Sequence, residues 1–213
     1  NRTANETAKL VFIGAAGAGK SCLYRALARL PFTATLPATI GIDLQLITIP
    51  SMRHLQHVSV AVWDTAGQEN YQSMVPLYSR GADIVLAVFD ASEVGSMEEC
   101  VARWGGLPEM SRDRQCKVIL VGTKYDMVME AKQRQSTVEH LDEEQVKRFA
   151  EECGFDGGMV VSSKSVYQIG PLLGLIADLA GDALINNRRA HAPVVVVDSK
   201  PAGFLDDVSC CKN

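Results

Sequence analysis

The sequence predicts an α/β fold, a doubly wound sheet with helices on both faces. Three observations predict it. Residues 10–13 form an apolar run, and a glycine-rich loop connects this run directly to a helical pattern. Residues 84–89 and 118–121 are continuously apolar, as expected of central parallel strands. Helical patterns separate the strands along the chain, which places helices on both faces of a doubly wound sheet.

The first strand leads into Gly14-x-x-x-x-Gly19-Lys20-Ser21, the pattern of a phosphate-binding loop. Its backbone N–H groups can surround an anion, Lys20 can reach the outer phosphates and Ser21 can ligate Mg²⁺. Residues 22–30 continue as a helix whose positive N-terminal end faces the phosphates. A dinucleotide-binding loop fits poorly, because Cys22 occupies the position of its third glycine. The predicted phosphate-binding residues are Gly14, Ala15, Ala16, Gly17, Ala18, Gly19, Lys20, Ser21 and Cys22.

The remaining elements follow in order. Pro31 ends the first helix. Residues 44–49 and 58–63 alternate between apolar and polar side chains and predict a hairpin, and residues 159–161 are a weaker candidate for the last strand. The other predicted helices span residues 96–104, 141–153 and 167–184. We expect one domain over residues 1–187 and a flexible tail over 188–213, where periodicity is lost.

Composition excludes some functions. Of the 213 residues 47% are hydrophobic, enough for a substantial core, and the formal net charge of −4 argues against a nucleic-acid-binding surface. We find no apolar run near the ~18 residues that a membrane span needs.

Four further polar stretches follow predicted strands or the first helix. They contain Thr39, Asp64-Thr65-Ala66-Gly67-Gln68-Glu69, Thr123-Lys124-Tyr125-Asp126 and Ser162-Ser163-Lys164. Each is weak evidence alone, since such stretches are usually turns or solvated loops. Open α/β sheets bind ligands at the carboxyl ends of their strands, so the whole set in this order indicates one site.

With these residues the chain resembles a small GTPase of the Ras superfamily, and most closely its Rab branch. The most specific stretch is Trp63-Asp64-Thr65-Ala66-Gly67-Gln68-Glu69. Residues 40–43 (Ile-Gly-Ile-Asp), residues 80–82 (Arg-Gly-Ala) and the Cys210-Cys211 ending favour Rab. The resemblance implies a phosphate-loop NTPase fold, with a mostly parallel six-stranded sheet, one antiparallel edge strand and about five helices.

The resemblance also implies roles at a GTP or GDP site. Mg²⁺ would be held by Ser21, by Asp64 through water and, only when GTP is bound, by Thr39. The Gly67 N–H would meet the γ-phosphate. The implied catalytic residues are Gln68, which would orient the attacking water, together with Lys20 and Thr39.

Asp126 is the residue predicted to select the base of the nucleotide. Its carboxylate only accepts hydrogen bonds, which suits the N1–H and NH₂ of guanine and disfavours adenine. Lys124 and Phe32 would flank the base and the Ser163 N–H would meet its oxygen. The remaining implied base-site residues are Thr123, Ser162 and Lys164.

The sequence departs from the family pattern at several positions. Thr123 replaces the usual Asn, Ala16 replaces a glycine common beside the attacking water, and Leu44 replaces a Rab-typical aromatic residue. These departures leave open a nucleotide-binding scaffold with little hydrolysis. A phosphate-loop kinase or ATPase is a further alternative, which the Asp126 element disfavours.

The Rab resemblance implies a monomer that acts in vesicular membrane traffic with an exchange factor, a GTPase-activating protein, effectors and a GDP-dissociation inhibitor or escort protein. Effectors would contact Leu44, Trp63 and Tyr78 beside the nucleotide-sensing loops, unless these are core residues. Cys210 and Cys211 would each carry a prenyl group and hold the protein to the cytosolic face of an endomembrane.

Overall fold

The computed structural model describes residues 7–39, 41–65, 79–107, 116–134 and 141–190. Six strands form one sheet. They are β1 (Thr7–Ile13), β2 (Ile42–Ser51), β3 (Gln56–Thr65), β4 (Ile84–Asp90), β5 (Lys117–Thr123) and β6 (Gly157–Val160).

The sheet has the strand order β2-β3-β1-β4-β5-β6. The edge strand β2 is antiparallel to β3, with Leu44 opposite Trp63, and all other pairs are parallel. The carboxyl ends of β1, β3, β4, β5 and β6 therefore meet at one edge. Every residue of β4 is buried, which explains the unbroken apolar run over residues 84–89.

Five helices lie in the described part of the chain: α1 (Lys20–Leu27), α2 (Val94–Trp104), α3 (Tyr125–Gln133), α4 (Glu143–Glu152) and α5 (Val166–Ala190). Helices α1 and α5 contribute Leu23, Leu172 and Ile176 to the core on one face of the sheet. Helices α2, α3 and α4 bury residues such as Met97 and Val128 on the other face. The predicted fold class, strand count and helix count are confirmed.

Helix α5 fastens the β2–β3 hairpin to the rest of the domain. Ser51 Oγ donates to Asp178 at 2.8 Å, and Arg53 pairs with Asp182 at 2.9 Å. The His54 ring covers Gly181 so closely that a Cβ there would lie 2.1 Å from it. These contacts hold the turn between β2 and β3 against α5.

Within α5, the stretch Ile169–Asn186 has a mean hydropathy of 1.4 and is long and apolar enough to cross a bilayer. We expected no such stretch, so that expectation was wrong. Leu172, Ile176 and Ala180 are fully buried against the sheet. Packing in the core, which buries 39% of this stretch, thus explains part of the apolar composition of α5.

Several element boundaries differ from the sequence prediction by a few residues, and α1, predicted to continue to residue 30, ends at Leu27 before Pro31 is reached. Helix α3 begins directly after Lys124, in a stretch for which the sequence predicted no helix. Helix α5 continues to Ala190, three residues into the region predicted to be a tail. Residues 191–213 lie outside the described part of the chain.

Candidate functional site

The loop between β1 and α1 wraps around the start of the helix. Gly14 has φ +148°, and a Cβ there would lie 2.1 Å from the Val88 carbonyl oxygen. Gly19 has φ +87°, and its Cβ would lie 2.7 Å from Thr123 Oγ1. Both positions therefore require glycine for space as well as for backbone conformation. The exposed residues Ala16 and Gly17 face a cavity of about 270 Å³ above the helix N-terminus.

Lys20 lies in this cavity and is 5% exposed. Its Nζ donates to the carbonyl oxygens of Gly14 at 3.0 Å and Ala15 at 2.8 Å. Burial lowers the pKa of Lys20 to about 8, although the charge of Asp64 opposes that shift. An anion in the cavity would favour the charged lysine, so this environment suits a phosphate-binding group.

The three residues predicted to hold Mg²⁺ come together beside Lys20. Ser21 Oγ and Thr39 Oγ1 are 2.9 Å apart, across a loop that joins α1 to β2. Asp64 is 2% exposed, and no described residue donates to its Oδ1. Burial raises the pKa of Asp64 above its ordinary value, and the Ser21 hydroxyl and the charge of Lys20, which act to lower it, do not offset that rise.

These residues fit a magnesium ion. A buried carboxylate oxygen without a donor beside two converging hydroxyls offers the hard oxygen ligands that Mg²⁺ prefers. In the described part of the chain no cluster of three or more His, Cys, Asp or Glu residues could hold a metal. This finding is compatible with the fit, because two of the three proposed ligands are hydroxyls.

A second cavity, of about 260 Å³, adjoins the first and shares Gly19, Cys22 and Lys124 with it. Phe32, Asp126, Ser163 and Lys164 also line it. The Phe32 ring is 42% exposed, and the Lys164 ammonium lies 5.7 Å from its centroid. The structure therefore brings the predicted base-site residues to one wall next to the predicted phosphate site.

Asp126 is held in place by two donors. Ser162 Oγ donates to Oδ1 at 2.6 Å, and Lys164 Nζ pairs with Oδ2 at 2.8 Å. Burial raises the pKa of Asp126, but the bonds from Lys164 and Ser162 outweigh it and leave that pKa below its ordinary value. Asp126 is therefore an ionised acceptor at neutral pH. Ser162 is fully buried, so it positions Asp126 from behind the cavity wall.

Thr123 lines the second cavity and contacts the loop between β1 and α1. It is 1% exposed, and its hydroxyl lies 2.6 Å from the Ala18 carbonyl oxygen and 3.2 Å from that of Phe89. With one proton to donate, the hydroxyl gives it to the nearer acceptor, Ala18. The Thr123 side chain thus fastens the phosphate loop to the end of β5.

Sequence reasoning missed Asp90, the last residue of β4. Its carboxylate pairs with Lys124 Nζ and accepts from both the N–H and the hydroxyl of Ser92. A polar residue directly after a buried strand was the signal that identified the other site residues, and Asp90 carries it as well.

Several predicted residues lie outside the described part of the chain. They are Gly67, Gln68, Tyr78, Cys210 and Cys211.

Comparison with known proteins gives the family. A model of the Ras family matches residues 9–169. The chain is 32% identical over 203 residues to the Ras-related protein Rab-30 of Homo sapiens, across 95% of this chain and 94% of that protein. The chain belongs to the Ras superfamily as a divergent, Rab-like small GTPase. It is 33% identical to Rab-13 of Rattus norvegicus over 67% of this chain and 69% of that protein. The match to SEC4 of Candida albicans reaches 34% identity over 55% of either chain.

Family membership confirms the predicted enzyme class. The Rab-like GTPase hydrolyses GTP to GDP and phosphate and works as a molecular switch with regulators and effectors. Ras-family GTPases bind GTP, GDP and Mg²⁺, in agreement with the two cavities and the three converging oxygen groups. The alternative of a phosphate-loop kinase or ATPase is excluded by the same membership.

Proposed function

We propose that this Rab-like GTPase binds GDP and GTP across the two cavities at the carboxyl edge of the sheet and switches effector recruitment in vesicular membrane traffic. The observation that carries the proposal is the convergence of Lys20, the Ser21–Thr39 pair, Asp64 and Asp126 along one edge. The phosphate loop and helix N-terminus would receive the phosphates, and the wall with Asp126 would receive guanine.

In this proposal Lys20 stabilises charge on the outer phosphates as the terminal phosphate leaves. Ser21, Thr39 and Asp64 would hold Mg²⁺, which neutralises phosphate charge when bound. Thr39 closes the loop between α1 and β2 over the site. Gln68 orients the attacking water, and the Gly67 N–H contacts the γ-phosphate.

Guanine selectivity is tested with a nucleotide panel. The wild-type chain should retain GDP and GTP in the presence of Mg²⁺ and bind ATP far more weakly. Asp126→Asn should shift preference toward xanthine nucleotides, because the added base oxygen needs a donor in place of the carboxylate. Lys20→Ala should weaken both guanine nucleotides without changing base preference. Equal affinity for ATP and GTP in equilibrium binding would refute the assignment of Asp126.

Hydrolysis by the isolated chain should be slow. An activating protein that supplies an arginine contributes about 10³–10⁵ in rate in this class of enzyme. Gln68→Leu should lower single-turnover hydrolysis while GTP binding persists. Turnover near one per second without an activator would contradict this part of the proposal.

The proposed effector surface uses the exposed face of the sheet edge. Leu44 is 56% exposed beside the half-buried Trp63, and Lys9 Nζ lies 4.2 Å over the Trp63 ring. Leu46, two residues along β2, is 57% exposed and extends the apolar strip. These exposures support binding rather than core roles for Leu44 and Leu46. Trp63→Ala and Leu46→Ser should each reduce capture of GTP-dependent partners. Unchanged capture by folded variants would show that effectors do not bind this surface.

The proposed membrane anchor is a pair of prenyl groups on Cys210 and Cys211. One lipid chain gives only marginal binding, and a second chain or a polybasic patch is needed for stable anchoring. After residue 187 the positive charges are nearly offset by negative ones, so the second signal should be lipid; the residues are Arg188, Arg189, Lys200 and Lys212 against Asp198, Asp206 and Asp207. Intact mass of protein isolated from membranes should show two prenyl additions, and an unmodified terminus would refute the anchor. Such a protein would rely on an exchange factor, an activating protein and a GDP-dissociation inhibitor or escort protein on the cytosolic face of an endomembrane.

A further inference from the structure

Two lysines line the base cavity, and each has its own carboxylate. Lys164 pairs with Asp126 at 2.8 Å, whereas Lys124 pairs with Asp90. Lys124 lines both cavities, so its side chain lies on the boundary between the phosphate region and the base region. The position of its stem thus shapes the wall on which a base would rest.

Lys124 is held in an uncommon backbone conformation. Its φ of 57° and ψ of 28° place it in the left-handed region at the N-cap of α3. A residue with a side chain adopts this conformation only where the surrounding structure enforces it. The ion pair with Asp90 is one such constraint, because it fixes the ammonium end of the Lys124 side chain.

Asp90 is itself fixed before any ligand arrives. Its side chain is 5% exposed, and Oδ1 accepts from Ser92 N at 2.9 Å and from Ser92 Oγ at 2.6 Å. Its own N–H donates to Ser96 Oγ at 2.9 Å, near the start of α2. Oδ2 is thereby aimed at Lys124, so the carboxylate provides a rigid support for a flexible four-carbon chain.

We propose that Asp90 is a positioning residue that holds the Lys124 stem against the base and slows release of guanine nucleotides. The inference rests on the proposed nucleotide site and adds a residue to it. Without the Asp90 charge, the Lys124 ammonium loses its buried partner and its stem samples other rotamers. Retention of the base weakens, whereas the phosphate loop and the groups proposed to hold Mg²⁺ keep their contacts.

The test uses the full chain loaded with a fluorescent GDP analogue in Mg²⁺. Asp90→Asn keeps the shape and the acceptor for Ser92 but removes the charge that Lys124 needs. We expect it to release the nucleotide roughly tenfold faster, and Lys124→Met to do the same. The Asp90→Asn/Lys124→Met double variant should release it no faster than the faster single variant, because both changes remove one interaction.

The chain offers a matched control at the opposite end of β5. Lys117 pairs with Asp156 at 2.6 Å, and Asp156 also accepts from a backbone N–H. Asp156→Asn removes a more exposed Lys–Asp ion pair, at the end of β5 opposite the proposed nucleotide site, and should leave the release rate within twofold of wild type. Competition by inorganic tripolyphosphate, which has phosphates and no base, should be equal for Asp90→Asn and wild type.

Three results would overturn the inference. They are an unchanged release rate in Asp90→Asn, a release rate in the double variant that multiplies the two single effects, and a loss of tripolyphosphate binding in Asp90→Asn as large as its loss of GDP binding. If Asp90→Asn does not fold, the double variant leaves no unpaired buried charge and is compared with Lys124→Met alone. Equal release supports the inference and faster release overturns it. Failure of the wild-type chain to retain GDP would overturn the proposed function itself, which separates the two failures.

Discussion

Thr123→Val tests how the phosphate loop is held to the base side of the site. Valine matches the shape of threonine, so the change leaves no cavity and removes only the hydroxyl that lies 2.6 Å from the Ala18 carbonyl oxygen. Thr123 is 1% exposed, so water cannot replace the lost donor. A buried acceptor left without its donor costs about 1–3 kcal/mol. We therefore expect the free energy of unfolding to fall by about 1–3 kcal/mol, and release of GDP to quicken by about 5–150-fold if the whole effect falls on the bound state.

The assay is urea unfolding at fixed GDP and Mg²⁺, together with release of a fluorescent GDP analogue. Thr123→Ser keeps the hydroxyl and should stay close to wild type in release rate. Thr48→Val makes the same chemical change on the exposed face of β2 and should be neutral. If Thr123→Val behaved like Thr48→Val in both measurements, the hydroxyl would not be a tether.

Three further predictions follow from individual contacts. Gly14→Ala should unfold at lower urea concentration than wild type, because its Cβ would lie 2.1 Å from the Val88 carbonyl oxygen; equal unfolding curves would contradict this. Asp64→Asn should raise, by tenfold or more, the Mg²⁺ concentration that half-maximally slows nucleotide release, and an unchanged titration midpoint would exclude Asp64 from the magnesium site. The Asp126 pKa lies below its ordinary value, so its stabilisation is present above pH ~4 and lost as pH falls through the folded pKa. The difference in unfolding free energy between wild type and Asp126→Asn should accordingly shrink in acid, and a constant difference would contradict the shift.

Most of the site could be predicted because its residues stand at fixed places in the chain. Parallel strands end at one edge, so Asp64, Thr123 and the 162–164 stretch had to converge once the strands were recognised. The 18-residue separation of Ser21 and Thr39 gave no such constraint. Their approach was expected from the family pattern, and the described loop brings the two hydroxyls to 2.9 Å.

What the sequence did not reveal depends on the direction of side chains. Thr123 was expected at the base, yet its hydroxyl is directed to Ala18 in a loop 105 residues earlier. No periodicity encodes that approach, because it arises from packing between β5 and the phosphate loop. Asp90 was missed for a related reason, since its role depends on where the Lys124 side chain ends.

Helix α3 was missed because its signals are weak. It begins without a side-chain cap, at a lysine in the left-handed conformation, and it buries Val128 as its one fully covered side chain. Helix α4 has the opposite character. Asp142 and Gln145 form a reciprocal capping box, and Val146 and Ala150 mark a clear apolar face. Local sequence signals thus predicted α4 well, whereas the position of α3 depends on β5, which ends directly before it.

The contacts around the two cavities differ in a way that suits a switch. On the base side, the ends of β4, β5 and β6 are fastened by protein contacts: Thr123 to Ala18, Asp90 to Lys124 and Ser162 to Asp126. On the phosphate side, Thr39 meets Ser21 through two hydroxyls that are also the groups proposed to hold Mg²⁺. Loss of the γ-phosphate would therefore leave the base-side contacts in place while it changes what Thr39 binds. Under the proposed function, nucleotide would stay bound through hydrolysis, and the loop before β2 would transmit the change to Leu44 and the exposed edge of the sheet.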